Sequence, residues 1–345
     1  MSSAAPVTQD FSLLERIRPL MRRKGVTLEP HEFHRQVNII FHAWESHTYD
    51  QLHKDMAQTL PRIWNSLVQD LLAKRPLFTP RRVLDIGCGT GQSMEMLLKT
   101  PLGAKIERIH LLDTSAKMLD YCRTRPCLKG KNVTFIEGAV EDLPASDRYD
   151  LIITSSVLHH LVDLAGFCRK VNSLQERGGV FLHIQDPNGD ALTAPGLHDR
   201  MARLDGSLER RAAKLAHRYS PVRAAKALGR RLTGNRVTDY LDHVNAELLA
   251  KNIVSAPLSA PEIWSITDIR VMDDLGISLR ELQACLPGYE PASQRSYSFF
   301  GDLAANLPRR FRAEENRLSL NRSMEGMHLA AMWSKQPDRA TSSRS

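Results

Sequence analysis

Three glycines and two carboxylates carry the first chemical signal in this 345-residue chain. Gly87, Gly89 and Gly91 alternate directly after the apolar run 82–86 and directly before the helix-favouring stretch 92–99. A strand, a tight turn and a helix start in that order bring backbone close to a nucleotide-like ligand. Glycine is needed there because a Cβ would block either the turn's positive φ angles or the ligand's approach. Asp85 falls at the carboxyl end of the strand, facing the crevice. Asp113 ends the next apolar run, 107–113, and lies 22 residues beyond Gly91. That spacing suits a carboxylate bonding both ribose hydroxyls of an adenosine ligand. A dinucleotide fingerprint would need its third glycine at 92, where this chain has Gln92, so the turn alone does not choose the ligand. Proton-transfer chemistry has its own candidates. His159 and His160 follow the fourth apolar run, and His42 and His53 lie on a helix near the N-terminus.

The elements that position these groups are strands near 82–87, 107–113, 132–137, 149–155 and 180–185, separated by polar helical stretches. The alternation predicts a largely parallel sheet covered on both faces, with its ligand crevice at the carboxyl ends of the strands.

Between about 81 and 186 the chain reads, in order, VLDIGCGTG, TSAKMLDYC, NVTFIEGAVEDLP, YDLIITSSVLHHLVD and GGVFLHIQDPN. In order and spacing these segments resemble the class I S-adenosylmethionine-dependent methyltransferases. The resemblance implies an α/β fold with a doubly wound, mostly parallel seven-stranded sheet, and S-adenosyl-L-methionine as cofactor. Asp85, Gly87, Gly89 and Gly91 would then frame the cofactor's methionine end, with Cys88 a small buried filler in the turn. Asp113, with Thr114 beside it, would hold the ribose, Met118 would pack on the adenine, and Ser155 would line the site from the fourth strand. Where the family usually has Asp, this chain has Ala139. Either Glu141 or Asp142 replaces that carboxylate at the adenine, or backbone groups at Ala139 and Val140 suffice.

Residues 31–58 contain no Gly or Pro and carry two helical stripes. Phe33, Val37, Ile40, Phe41 and Trp44 form an apolar face, and His34, Asn38, His42, Glu45, Tyr49 and His53 form a polar one. A solvated face is usually written in Lys and Glu. This one is rich in uncharged donors and acceptors, so it is expected to roof the active site. Tyr49 and Asp50 resemble the aromatic–Asp pair that many family members carry over the cofactor mouth. Of the candidate bases, His160 is the one the resemblance favours, with His159 facing solvent and His42, His53 and Asp186 as alternatives. No metal is expected, although His42, Glu45 and His53 could geometrically share one.

Five regions follow: a helical cap at 10–78, the cofactor-binding core at 79–186, a helical insertion at 187–290, a closing strand pair within 291–335, and a polar tail at 336–345. The closing pair is expected at 296–300 and 326–335. An insertion at this point typically forms a lid over a substrate pocket. The net charge of +8 belongs to 198–236, where eleven Lys or Arg face three Asp or Glu. No apolar run approaches the ~18 residues of a membrane span. The N-terminus lacks the pattern of a signal peptide. Five irregularly spaced cysteines suit a reducing, cytoplasmic setting. The segment after the fourth strand, TSSVLHH, has no proline, which argues against methylation of nucleobase amino groups. The Pro-Cys signature of cytosine-C5 enzymes is absent there too. The expected activity is methylation of O, N or C on a small metabolite, with nucleic acid not the expected partner. Two alternatives stay open. One is a macromolecular or carrier-bound substrate docked on 198–236; the other is a non-methylating binder of the same cofactor.

Overall fold

A computed structural model describes residues 12–218, 239–271 and 276–336. Seven strands form one sheet: β1 (Arg82–Ile86), β2 (Arg108–Asp113), β3 (Val133–Glu137), β4 (Tyr149–Ser155), β5 (Gln175–Pro187), β6 (Tyr289–Tyr297) and β7 (His328–Lys335), in the order β3-β2-β1-β4-β5-β7-β6. The first five pair in parallel, and β7 runs antiparallel to both β5 and β6. This is the doubly wound, mostly parallel sheet expected from the sequence. The order reverses between β1 and β4, where an open α/β sheet leaves its ligand crevice.

Thirteen α-helices are described: α1 (Ser12–Arg23), α2 (Pro30–Glu45), α3 (Tyr49–Leu52), α4 (Lys54–Lys74), α5 (Gln92–Leu98), α6 (Ala116–Arg123), α7 (Leu164–Leu174), α8 (Gly189–Leu192), α9 (Pro195–Arg218), α10 (Asp239–Ala250), α11 (Ala260–Thr267), α12 (Leu279–Cys285) and α13 (Arg309–Leu320). The central strands are apolar over most of their length because both faces are covered. Val83, Leu111 and Ile153 share one core with residues of α4 and α5, while Leu84, Ile152 and Phe181 share another with residues of α7. A third core lies away from the sheet. There α1 and α2 bury Ile17, Phe33, Val37 and Ile40 against Val244 and Leu248 of α10 and Ile263 and Ile266 of α11. Each such side chain, fully buried, contributes roughly 1.5–3 kcal/mol. N-terminal helices and insertion thus share one apolar interior.

One sequence expectation changes. The run 296–300 was expected as a strand, but β6 is Tyr289–Tyr297, and 298–300 has already left the sheet. Its sequence, YEPASQRSY, is polar and contains Pro291 beside a register shift, which only an edge strand tolerates. Residues 219–236 of the basic segment lie outside the described residues. Of its described part, Arg200 pairs with Glu325 at 3.0 Å and Arg203 with Glu314 at 2.8 Å. The tail beyond 336 also lies outside the described residues.

Candidate active site

The glycine turn is held to the neighbouring strand by Cys88 N–H donating to the Leu112 carbonyl at 3.0 Å. All three glycines have positive φ, for two different reasons. A Cβ on Gly87 would come within 2.6 Å of Val157 Cγ2, and one on Gly91 within 2.7 Å of Cys122 Sγ. A Cβ on Gly89 would meet nothing within 4 Å. The outer two are therefore required by packing, while the middle one borders open space, as close approach of a ligand requires. Cys88 is buried, and its thiol is pushed up by a bond with Cys122 and by burial, so it is a packing residue.

Asp113 ends β2 with both carboxylate oxygens fixed by backbone. Oδ2 accepts from Gly89 N–H at 2.8 Å, and Oδ1 accepts from Ser115 N–H at 2.8 Å. Each oxygen keeps a second lone pair, which suits a vicinal diol. Asp85 lies under the turn, fully buried, with Oδ2 accepting from Ser93 Oγ at 2.6 Å and Oδ1 left without a partner. Burial pushes its carboxyl up to about 7, the Ser93 bond opposes this, and Asp113 adds to it. An orphaned buried acceptor beside an open glycine turn is a place for a bound cationic or hydrogen-bonding group. The sulfonium amino acid end of S-adenosylmethionine offers an ammonium, so these residues fit that cofactor.

At the adenine end, Ala139 N–H donates to Asp142 Oδ2 at 3.1 Å, and Glu141 and Asp142 are both exposed. Val140 is buried, and Met118 is buried on α6 behind the Ser115 cap. Thr114 is exposed beside Asp113, and Ser155 is half-buried at the end of β4.

The roof is latched to the turn by a residue the polar stripe did not include. Asp50 of α3 accepts from Thr90 Oγ1 at 2.7 Å and from Arg125 at 2.6 Å, while Arg125 also reaches the Thr90 carbonyl at 2.6 Å. Tyr49 stands beside the latch with its ring 4.4 Å from that of His53, and burial pushes its hydroxyl up. Glu45 bridges two roof histidines, with Oε2 3.2 Å from His42 Nδ1 and Oε1 3.3 Å from His53 Nε2. Burial would raise the Glu45 carboxyl, but the two imidazoles outweigh it and hold it at about 2. Burial lowers His42, yet Glu45, Asp113 and Asp268 together leave it above its ordinary value.

The strand-end histidines correct one expectation. His159 does not face solvent. It is buried, with Nδ1 3.0 Å from Oδ1 of the fully buried Asp186 at the end of β5. His160 donates from Nδ1 to the Thr267 carbonyl at 2.7 Å and meets the His42 ring edge-on at 5.1 Å. Burial and three neighbouring histidines push it well down, so it is neutral. Asp268, just after α11, lies 3.4 Å from His160 Nδ1 and 3.9 Å from His159 Nε2. Nothing in the sequence pointed to Asp268, which arrives from the insertion more than a hundred positions after the histidines it meets. Two non-glycine residues here hold left-handed backbone: Ser156 (φ 60) just past β4 and Gln185 (φ 67) within β5. Paired strain at adjacent strand ends is a recurring mark of a functional site.

Sheet order and glycine turn give the core the class I S-adenosylmethionine-dependent methyltransferase fold. More particularly, residues 80–240 match the family described as "Methyltransferase domain". The trans-aconitate 2-methyltransferase of Rhodopseudomonas palustris strain BisB18 is 36% identical over 120 residues, covering 35% of this chain and 44% of that protein. The ubiquinone biosynthesis O-methyltransferase of Methylocella silvestris is 30% identical over 115 residues, covering 33% and 43%. The chain thus spans less than half the length of these curated relatives. Among solved structures, the plantazolicin methyltransferase BpumL in complex with SAH aligns over 94% of this chain and 99% of its own, at 13% identity and a TM-score of 0.45.

Proposed function

We propose that this protein transfers the methyl group of S-adenosylmethionine to a small-molecule acceptor, with His159 as the base that removes the acceptor's proton. Bound S-adenosylmethionine supplies an already activated methyl, so the protein must align an acceptor, exclude water and take a proton. The observation that carries the reading is the buried Asp186–His159 pair, 3.0 Å apart, beside the ends of β4 and β5. Asp186 holds the Nδ1–H tautomer, which leaves the Nε2 lone pair free. His160 is tied to a main-chain carbonyl and His42 to Glu45, so each serves as a positioning group for the wall and roof.

Asp85, Gly87, Gly89, Asp113 and Tyr49 are assigned to the cofactor, with Thr114, Met118, Ala139, Val140, Glu141 and Ser155 around them. Relatives named for trans-aconitate and for ubiquinone biosynthesis support a small acceptor. No helix among the described residues is long and apolar enough to cross a membrane. Five free cysteines support the cytoplasm as its setting. The test is production of S-adenosylhomocysteine from labelled donor in the presence of a metabolite panel. Product with wild type and not with His159→Gln supports the reading; no turnover with any acceptor contradicts it.

A further inference from the structure

The wall that faces the acceptor is built from carboxylates and imidazoles. Glu45 lies 3.2 Å from His42, Asp186 3.0 Å from His159, and Asp268 3.4 Å from His160. The charged groups acting most strongly on His42, Glu45, His160, Asp186 and Asp268 are histidines and carboxylates, with no lysine or arginine among them. Nearby guanidinium groups are consumed elsewhere. Arg270 is spent on the Leu161 carbonyl at 2.7 Å and Glu281 at 3.2 Å, and Arg125 on Asp50 and Glu95. Three carboxylates therefore stand here with imidazoles as their partners and no fixed cation among the groups acting most strongly on them.

A carboxylate acceptor places two demands on such a wall. It arrives already deprotonated, so it needs no base, and it arrives charged, so it needs a fixed cation. This wall supplies the reverse: an oriented base and surplus negative charge among the described residues. A buried negative charge brought up to carboxylates whose only charged neighbours are imidazoles is repelled.

We infer that the accepting atom is the oxygen of an uncharged hydroxyl or the nitrogen of an amine, and that Glu45 and Asp268 are the residues that select against carboxylate acceptors such as trans-aconitate. This rests on the methyl-transfer reading above. As the new O–CH3 or N–CH3 bond forms, the S–CH3 bond breaks and its electron pair stays on sulfur, which loses its positive charge. The proton of the acceptor passes to His159 Nε2. The acidic wall assists the acceptor's loss of that proton by stabilising the resulting imidazolium.

Sinefungin, which carries an amine where the donor carries its methyl, probes the wall without turnover. Calorimetric titration is expected to show sinefungin binding at least about tenfold tighter than S-adenosylhomocysteine, a difference of about 1.4 kcal/mol. Asp268→Asn should shrink that ratio to about threefold or less while leaving S-adenosylhomocysteine affinity unchanged. Glu45→Gln should do the same, and Asp268, being half-exposed, keeps the test valid if the buried Glu45 variant fails to fold. Labelled donor offered with trans-aconitate should give no methyl ester. Equal binding of the two analogues, a ratio untouched by Asp268→Asn, or label on trans-aconitate would each overturn the inference. Failure of both analogues to bind at all would instead remove the methyl-transfer reading beneath it.

Discussion

Asp186 Oδ1 and His159 Nδ1 lie 3.0 Å apart in a pair almost sealed from solvent, at the meeting point of the last parallel strand and the loop after β4. Burial alone would raise the Asp186 carboxyl, but His159 and His183 outweigh it and keep it below its ordinary value. The carboxylate is therefore charged, and the imidazole it holds has one fixed tautomer. His159→Gln is expected to lower kcat by about 10²–10⁴-fold, the usual contribution of a positioned base. Affinity for S-adenosylhomocysteine should stay within about threefold of wild type. Parallel loss of turnover and cofactor affinity would make the residue structural.

Burial, with the Asp113 charge adding to it, pushes the Asp85 carboxyl up to about 7. A cationic ligand group beside it favours the ionised form, so cofactor affinity should fall as pH drops through 7. At pH 6 the loss should be about tenfold, one pH unit being worth 1.36 kcal/mol. For the unliganded protein the sign is opposite. The folded state holds this proton where the unfolded chain has released it, so from about pH 4 to 7 this group makes stability fall as pH rises. Calorimetric titrations at pH 6, 7 and 8 with wild type and Asp85→Asn separate the two. A variant with unchanged pH dependence would show that another group titrates.

The glycines should respond differently to the same added methyl group. In Gly87→Ala the new Cβ meets Val157 at 2.6 Å. Overpacking of that kind costs about 1–3 kcal/mol, on top of the left-handed backbone. In Gly89→Ala only the backbone term remains, about 1–2 kcal/mol, because no atom lies within 4 Å. Gly89→Ala is thus expected to melt nearer wild type than Gly87→Ala yet to lose most of the thermal shift given by S-adenosylhomocysteine. A Gly89 variant that keeps the full shift would place the ligand elsewhere.

The core was legible because its physics is local. The inner parallel strands are mostly apolar runs long enough to be buried on both faces, and the glycine turn is written in consecutive residues. The place of Asp113 at a strand end follows from strand length plus one crossover. Legibility failed where a residue's role depends on distant chain. The start of β6 was missed and its end overrun because YEPASQRSY is polar and carries Pro291 at an irregularity that an edge strand tolerates. Asp268 belongs to an insertion whose packing against α2 no periodicity announces. His159 and His160 were both visible, but which of them turns inward depends on Asp186 and Thr267, partners set by tertiary structure. The stripe on α2 was legible as polar; that Glu45 bridges two of its histidines was not.

The central claim is that Asp113, clamped by the Gly89 and Ser115 N–H groups, grips the adenosyl ribose. Calorimetric titration of the full chain with S-adenosylhomocysteine tests it most directly. One site per chain is expected, weakened about 100-fold in Asp113→Ala, since two hydrogen bonds to a charged group account for roughly 3 kcal/mol. No heat from the wild type at millimolar ligand, or equal affinity in the variant, would contradict it.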